Sequence, residues 1–476
     1  MRIAVVGAGV GGLAAGIRLA RAGHAVTVLE AADVPGGKAG RVERGGFAWD
    51  SGPSLLTMPW VLRDLFAETG APLQDVVELL RVEPVTRYRF ADGTGFDLSA
   101  DLPQAMEALE AWSPGAGADW TRFLGTCAGM WRASVPFLTG PPPWPPRRPE
   151  RGAPPPDPRD FLRVRPWATL RSLARAHARD PRLRMVIERF ATYAGADPRR
   201  APAALAVAGY VEHAFGAWHP RGGIYALVEA MTARLSDLGG ELRLGVPVRR
   251  IAVSGRRVAG VETDAGFLAA DAVVATADAE AVARDLLGRP APRRPRERSL
   301  SGFALMLGLE GSTPGLVHHT IAFPDDYDAE FDDVFTARRP VRDPTLYASA
   351  GSATEGGPEA WFVLVNAPAS AAHDWDAYGV HVLERMAARG LDVRGRVRAR
   401  AQRSPADLER ETGAPGGAIY GAAPHGRLGT LRRPPNAVRG VDGLWLVGGT
   451  THPGGGLPLV MLSAQIVARA IGERAR

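Results

Sequence analysis

The chain of 476 residues contains a single lysine, Lys38, although Lys and Arg together number 57, so every other basic side chain among them is arginine. It also contains a single cysteine, Cys127, which excludes internal disulfides and any metal centre built on a cysteine cluster. Cys127, in FLGTCAGMW, reads as a small apolar residue on a helix face. No stretch reaches the uninterrupted apolar length of a membrane-spanning helix. No basic run is interleaved with aromatics as a nucleic-acid groove requires, so nucleic acid is not an expected partner. No Ser–His–Asp order, metal-ligand spacing or carboxylate pair stands out. The opening MRIAVVGAG enters a strand at once, which leaves no room for a signal peptide and points to the cytoplasm. A net charge of +6 is modest for this length and suits at most a resting place on an anionic membrane surface.

The length exceeds that at which one core stops growing, so at least two domains are expected. RIAVVGAG, VGGLAAGIRLARAG and AVTVLE read as strand, helix and strand, a βαβ unit. Residues 55–135 read as mostly helical, through MPWVLRDLFAETG and DLPQAMEALEAW. PPPWPPRRPERGAPPPDP, at 141–158, can be neither helix nor central strand and reads as an extended surface loop. Helical character resumes over 160–235, and 241–276 alternates short strands with glycine turns like a β-meander. GFALMLGL, VHHTIAF, PTLYASA and AWFVLVNA are four further strands. GLWLVGG is a final strand before the closing helix PLVMLSAQIVARAIGERA, and no internal repeat is visible.

Gly7, Gly9 and Gly12 form G-x-G-x-x-G between a strand and a helix. The first glycine permits a tight turn, the second a close approach of backbone to a pyrophosphate, and the third close helix–strand packing. Val10 and Gly11 share that turn, and the helix N-terminus offers free N–H groups to phosphate. Glu30 ends the second strand, 21 positions after Gly9, where a carboxylate accepts ribose hydroxyls. Ala31, Gly36, Gly37, Lys38 and Arg41 follow, bringing flexible backbone and two cations to the same nucleotide. The glycines of WLVGGTTHPGGGLPLVMLSA remove side chains where a flat ring must lie against backbone. Pro458 suits the first turn of the last helix, whose dipole would face the ring edge that gains negative charge on reduction. A cofactor touched by both ends of the chain points to FAD rather than NAD.

GAGVGGLAAGIRLARAGHAVTVLE, PGGKAGR and GFAWDSGPSLLTMP resemble the N-terminus of phytoene-desaturase-type carotenoid desaturases, within the amine-oxidase-like flavoproteins. WHPRGGIYALVEAM, VVATADAEAVARDLL and GGTTHPGGGLPLVMLSAQ resemble the same family in the same order. LVHHTIAFPDDYDAEFDDVF, DPTLYASA, FVLVNAPA and GGAIYGAAPHG are similar to desaturases of hydroxylated or methoxylated acyclic carotenoids that act at the 3,4 bond. The resemblance implies an α/β fold with a Rossmann-like FAD-binding domain of the amine-oxidase/glutathione-reductase type, assembled from 1–98, 215–290 and 425–476. It implies a helical lid or membrane-facing part at 99–214 and an inserted α+β substrate domain at 291–424. Carried over residue by residue, Gly7, Gly9 and Gly12 hold the pyrophosphate and Glu30 the adenosine ribose. Lys38 lies beside the phosphate and ribityl chain, and Val248 meets the adenine through its backbone. Gly52, Pro53 and Ser54 line the flavin ring, and Gly449, Leu457 and Pro458 close over it. The substrate implied is a long apolar carotenoid reached from a membrane surface, with the final electron acceptor, O2 or a quinone, left open.

Desaturation moves a hydride to flavin N5 while the polyene delocalises the developing cation, so orientation and a dry channel matter most. His452, next to the presumed ring, is the one catalytic candidate, against a structural reading. His318 and His319 should face opposite sides of a strand, which argues against a paired site. Asp50 could accept a bond from ring or backbone but reads first as a turn-making residue, and the arginines of RPRERSL read as a solvated loop. The competing readings are phytoene desaturation, non-redox isomerisation, a binding-only module, and amine oxidation. The last needs an aromatic cage that TTHPGGGLP does not supply.

Overall fold

The computed structural model of the protein describes residues 1–142, 158–289 and 297–474. The expected proline-rich loop at 141–158 falls almost wholly outside the described residues, as do the first arginines of RPRERSL.

Strand Arg2–Val6 is buried from Ile3 onward on both faces, as the centre of a parallel sheet must be. Helix Val10–Arg21 returns the chain, and Ala25–Leu29 pairs parallel to the first strand with Val28 opposite Val5. The other partners come from far along the sequence. Ala272–Ala275 lies parallel on the other side of Arg2–Val6, Leu444–Leu446 lies beyond it, and Glu241–Arg243 closes the opposite edge. The closing helix, Leu457–Arg474, packs on Val10–Arg21 in one apolar core that includes Leu13, Ile17, Met461, Leu462 and Val467.

The expected meander divides. Val248–Ser254, Arg257–Thr263 and Gly266–Ala269 form a three-stranded antiparallel sheet, but the strands on either side of them join the parallel sheet instead. Ala272–Ala275 shows the reason: all four residues are buried, a pattern for a strand covered on both faces rather than for a meander edge.

A second, seven-stranded mixed sheet runs in the order Val397–Arg403, Ser301–Leu309, Glu359–Ala367, Leu346–Ala350, His319–Ala322, Thr86–Arg89, Gly95–Leu98. The four strands expected between 300 and 366 are all here. Three others are not in the sequence reading. Thr86–Arg89 and Gly95–Leu98 lie in a stretch read as helical, and in the first of them two arginines conceal an alternation of buried and half-exposed positions. They also tie this part of the first segment to the second sheet rather than to the parallel one.

Helices Ala116–Thr139, Leu170–His177, Pro181–Glu188 and Val207–Phe215 build a third layer around Trp120, Phe123, Leu173, Ile187 and Phe190. Cys127 is buried within it, as expected, and burial pushes its thiol pKa up. Among the described residues no helix is long and apolar enough to cross a membrane.

Candidate functional site

One cavity of about 1290 Å³ lies where the parallel sheet, the helical layer and the second sheet meet. Its wall includes Gly7, Gly9, Val10, Gly11, Glu30, Ala31, Gly36, Gly37, Lys38 and Val248 from the first and middle segments. It also includes Gly52, Pro53, Ser54, Gly449, Leu457 and Pro458. The two remaining candidates, Gly12 and His452, do not line it.

The first turn is built by close backbone approaches. Gly7 has a φ of +101°, and a Cβ on Gly12 would stand 2.0 Å from the Gly7 carbonyl oxygen. Gly12 therefore shapes the turn from behind, without lining the cavity. Thr276 secures the same turn, its hydroxyl donating to the carbonyls of Val6 and Gly7 at 2.9 and 3.2 Å. Gly9 caps helix Val10–Arg21 with no side-chain hydrogen bond, which leaves the N-terminal amides to an anion. The Glu30 carboxylate accepts the amides of Ala8 at 2.6 Å and Ala32 at 3.0 Å, locking the strand end to the turn. Gly52 makes a second tight approach, since a Cβ there would stand 1.8 Å from the Lys38 carbonyl oxygen.

Lys38 Nζ donates to the Ile419 carbonyl at 2.7 Å, across the cavity from the turn. The part of the side chain left uncovered faces the cavity interior, not bulk solvent. Desolvation brings its pKa down to about 8, partly opposed by Asp278 and reinforced by Arg403. This donor set fits a diphosphate-bearing nucleotide: an uncapped helix N-terminus, side-chain-free turns and one ammonium, all lining one cavity. Arg433, not anticipated from sequence, donates to the Gly449 carbonyl at 2.8 Å, and burial lowers its pKa to about 10.

Three readings are settled or changed by the structure. His452 takes the structural reading: its Nε2 bonds the Gly140 carbonyl at 2.9 Å and its ring packs edge-on against Phe137, which lines the cavity where His452 does not. Asp50 makes no turn. Half-buried at the end of strand Phe47–Asp50, it accepts the amides of Ile224 at 2.7 Å and Tyr225 at 3.0 Å, at the start of helix Tyr225–Asp237. The two adjacent histidines do not part either. His318 precedes the strand, so strand alternation does not govern it, and its ring lies 4.4 Å from that of His319 and 4.7 Å from that of His219. Aromatic lining does exist, supplied not by TTHPGGGLP but by Tyr347 and Tyr420, the latter packed against Gly455.

The histidine cluster has a consequence for stability. Burial brings the His318 pKa down to about 3 and that of His319 well below the ordinary value of 6.5, with His219 also opposing protonation of both. Both imidazoles are neutral in the folded protein and protonate in the unfolded chain below pH 6.5, so stability falls with pH from there. For His318 the loss between pH 6.5 and 5 is about 2 kcal/mol. Thermal melts at the two pH values should show this drop, and His318→Asn should lessen it. A parent melting temperature that is flat over that range contradicts the buried neutral cluster.

Beyond the cradle, Ser54 Oγ and the Tyr347 hydroxyl are 2.7 Å apart, and the same hydroxyl lies 2.8 Å from His319 Nδ1. Arg189 and Tyr193 line the cavity from the helical layer, among Phe190, Leu205, Val207, Ala208 and Val211. No sequence signal set this arginine apart from the other basic residues.

The sequence matches the family of flavin-containing amine oxidoreductases over residues 10–306 and that of FAD-dependent oxidoreductases over 162–470. It is 35% identical over 495 residues to a hydroxyneurosporene desaturase from Rubrivivax gelatinosus, covering 99% of this chain and 93% of that protein. It is 33% identical to a zeta-carotene-forming phytoene desaturase from Myxococcus xanthus, over 99% of this chain and 93% of the relative. A 1-hydroxycarotenoid 3,4-desaturase from a Flavobacterium species is 28% identical over 98% of both chains. Among solved structures, an oxidoreductase from Methanosarcina mazei superposes with a TM-score of 0.68 at 18% identity, over 98% of this chain and 100% of that one, which shows the shared fold. The cradle and the matches agree: the chain belongs to the flavin-containing amine oxidoreductase family, as an FAD-dependent oxidoreductase of the branch that holds the carotenoid desaturases.

Proposed function

We propose that this enzyme introduces a C=C bond into an acyclic, 1-hydroxylated carotenoid at the 3,4 position. The observation that carries the reading is a single chamber that runs from the glycine cradle to an apolar wall formed by Ala304, Phe362, Leu364, Val207 and Val211. The relatives named for hydroxylated carotenoids support the substrate class.

Bound FAD supplies the acceptor for the hydride that leaves one of two adjacent saturated carbons, at N5. The Gly9 helix N-terminus and Lys38 would hold its diphosphate, Glu30 the ribose end, and the Val248 backbone the adenine. Gly52, Pro53, Ser54, Gly449, Leu457 and Pro458 would enclose the ring. The apolar wall orients a stiff polyene and excludes water while positive charge develops along it. Loss of a proton from the neighbouring carbon completes the double bond.

Entry from a membrane surface is part of the proposal. Leu428 and Leu431 are exposed yet line the cavity, and exposed Leu162 and Trp167 flank the lining residues Val164 and Pro166. The functional test is incubation of the purified flavoprotein with a 1-hydroxylated acyclic carotenoid and, separately, with phytoene. The expected result is a product lighter by two hydrogens from the first and none from the second. Conversion of phytoene overturns the 3,4 assignment.

A further inference from the structure

The helical wall of the cavity carries one buried polar cluster to which the cofactor cradle assigns no role. Arg189 is 6% exposed, and its Nη2 donates to the hydroxyls of Tyr193 at 2.7 Å and Tyr88 at 3.4 Å. Tyr193 in turn donates to Glu212 Oε1 at 2.5 Å. Among the described residues the guanidinium thus has no directly bonded carboxylate, although a cation removed from water normally demands one. Two atoms of the cluster are buried with no hydrogen-bond partner among the described residues: Arg189 Nε and Glu212 Oε2. Orphaned groups of this kind are rare in folded proteins and call for an explanation.

Arg189 and Tyr193 both line the cavity, amid aliphatic and aromatic side chains. The cluster reaches toward the proposed ring site. Arg189 acts electrostatically on Tyr347, whose hydroxyl bonds Ser54. Glu212, joined to Arg189 through Tyr193, disfavours an anion beside the guanidinium, so the complement of the cluster is a neutral oxygen. The Tyr193 proton is given to Glu212, so the donor left for a ligand is the Arg189 guanidinium, to which either a hydroxyl or an ether oxygen can accept.

Building on the desaturase reading above, we propose that Arg189 and Tyr193 form the recognition site for the oxygen at the end of an otherwise hydrocarbon substrate, and so set a preference for hydroxylated and methoxylated carotenoids over unsubstituted ones. The geometry of the substrate agrees. An oxygen on carbon 1 is only three bonds from carbon 3, so its binding site has to adjoin the ring rather than lie at the far end of the chamber. A hydrocarbon end would leave the cluster's polar atoms desolvated and unpaired, which is the arrangement by which enzymes reject analogues that lack a hydroxyl.

The test is competition between 1-hydroxy, 1-methoxy and unsubstituted acyclic carotenoids of equal conjugation, presented to the holoenzyme in the same liposomes. The parent should turn over both oxygenated substrates in preference to the hydrocarbon. Arg189→Met should cut the ratio of kcat/KM values by about 10- to 100-fold, the scale of one hydrogen bond to a charged group, with kcat/KM for the hydrocarbon held or raised. Arg189→Lys should restore part of the preference. Flavin content reports folding. If Arg189→Met leaves Glu212 too exposed to desolvation for the protein to fold, Arg189→Met/Glu212→Gln and Tyr193→Phe read the same ratio. An unchanged ratio, or an equal fall for all three substrates, overturns the recognition site alone. A parent that converts none of them overturns the functional reading, and this inference with it.

Discussion

Lys38→Glu should purify as a folded but colourless protein. The ammonium's uncovered surface faces the cavity and its one hydrogen bond in the structure goes to the Ile419 carbonyl, so a carboxylate there meets a desolvated site with Asp278 as a neighbour. It would also face the diphosphate with the wrong sign. Removing one partner of a buried charge pair costs about 2–5 kcal/mol, and reversal costs more. Lys38→Arg keeps the cation and should retain most of the flavin. The ratio of flavin to protein absorbance, with titration of the apoprotein by FAD, separates the two variants. Parental flavin content in Lys38→Glu would reduce Lys38 to a bystander. The apoprotein should also rebind FAD less well as pH rises through about 8, because the cation is present below that value and lost above it.

Gly12→Ala should be more damaging still, to the fold itself. The new methyl would stand 2.0 Å from the Gly7 carbonyl oxygen, and Gly7 cannot yield, since its own position is set by a φ of +101° and by Thr276. The contact is backbone on the inner side of the sheet, so relief requires moving helix Val10–Arg21 off strand Arg2–Val6. A loss of about 3 kcal/mol or more is expected, at the upper end for an overfilled core position. Gly125→Ala is the matched control. Gly125 is exposed on helix Ala116–Thr139 with nothing within 4 Å of an added Cβ, so the same substitution should stabilise by about 0.5–1 kcal/mol. Thermal melts of the two variants should move in opposite directions. A soluble, flavin-loaded Gly12→Ala with the parental melting temperature would show that the turn tolerates a side chain.

The cradle was legible because its requirements are local. Glycines that bring backbone against backbone, an acid at the end of the second strand and a proline at the start of the last helix are features of short segments. What stayed hidden depends on distance in the chain. Asp50 looked like a turn residue because its partners, the amides of Ile224 and Tyr225, lie in a segment that nothing near Asp50 identifies. Arg189, Tyr193 and Glu212 become a site only when a 3₁₀ segment and the helix Val207–Phe215 meet. Arginine is also this chain's default cation, so no individual one draws attention. The histidine pair was misjudged by a rule applied one residue too early: alternation begins at His319, where the strand begins.

The order of strands in the parallel sheet bears on how the protein is made. Arg2–Val6, at its centre, has Ala25–Leu29 on one side from the start, but its other neighbour is Ala272–Ala275 and the strand beyond is Leu444–Leu446. A ribosome adding roughly 5–20 residues per second leaves that inner edge unpaired for tens of seconds. The helix Leu457–Arg474 that covers the first one is made later than every strand of the sheet. The nascent chain therefore carries an open, apolar strand edge until Ala272–Ala275 has been made. Expression at lower temperature, or with chaperones that shield strand edges, bears on the yield of this fold more directly than the supply of cofactor does.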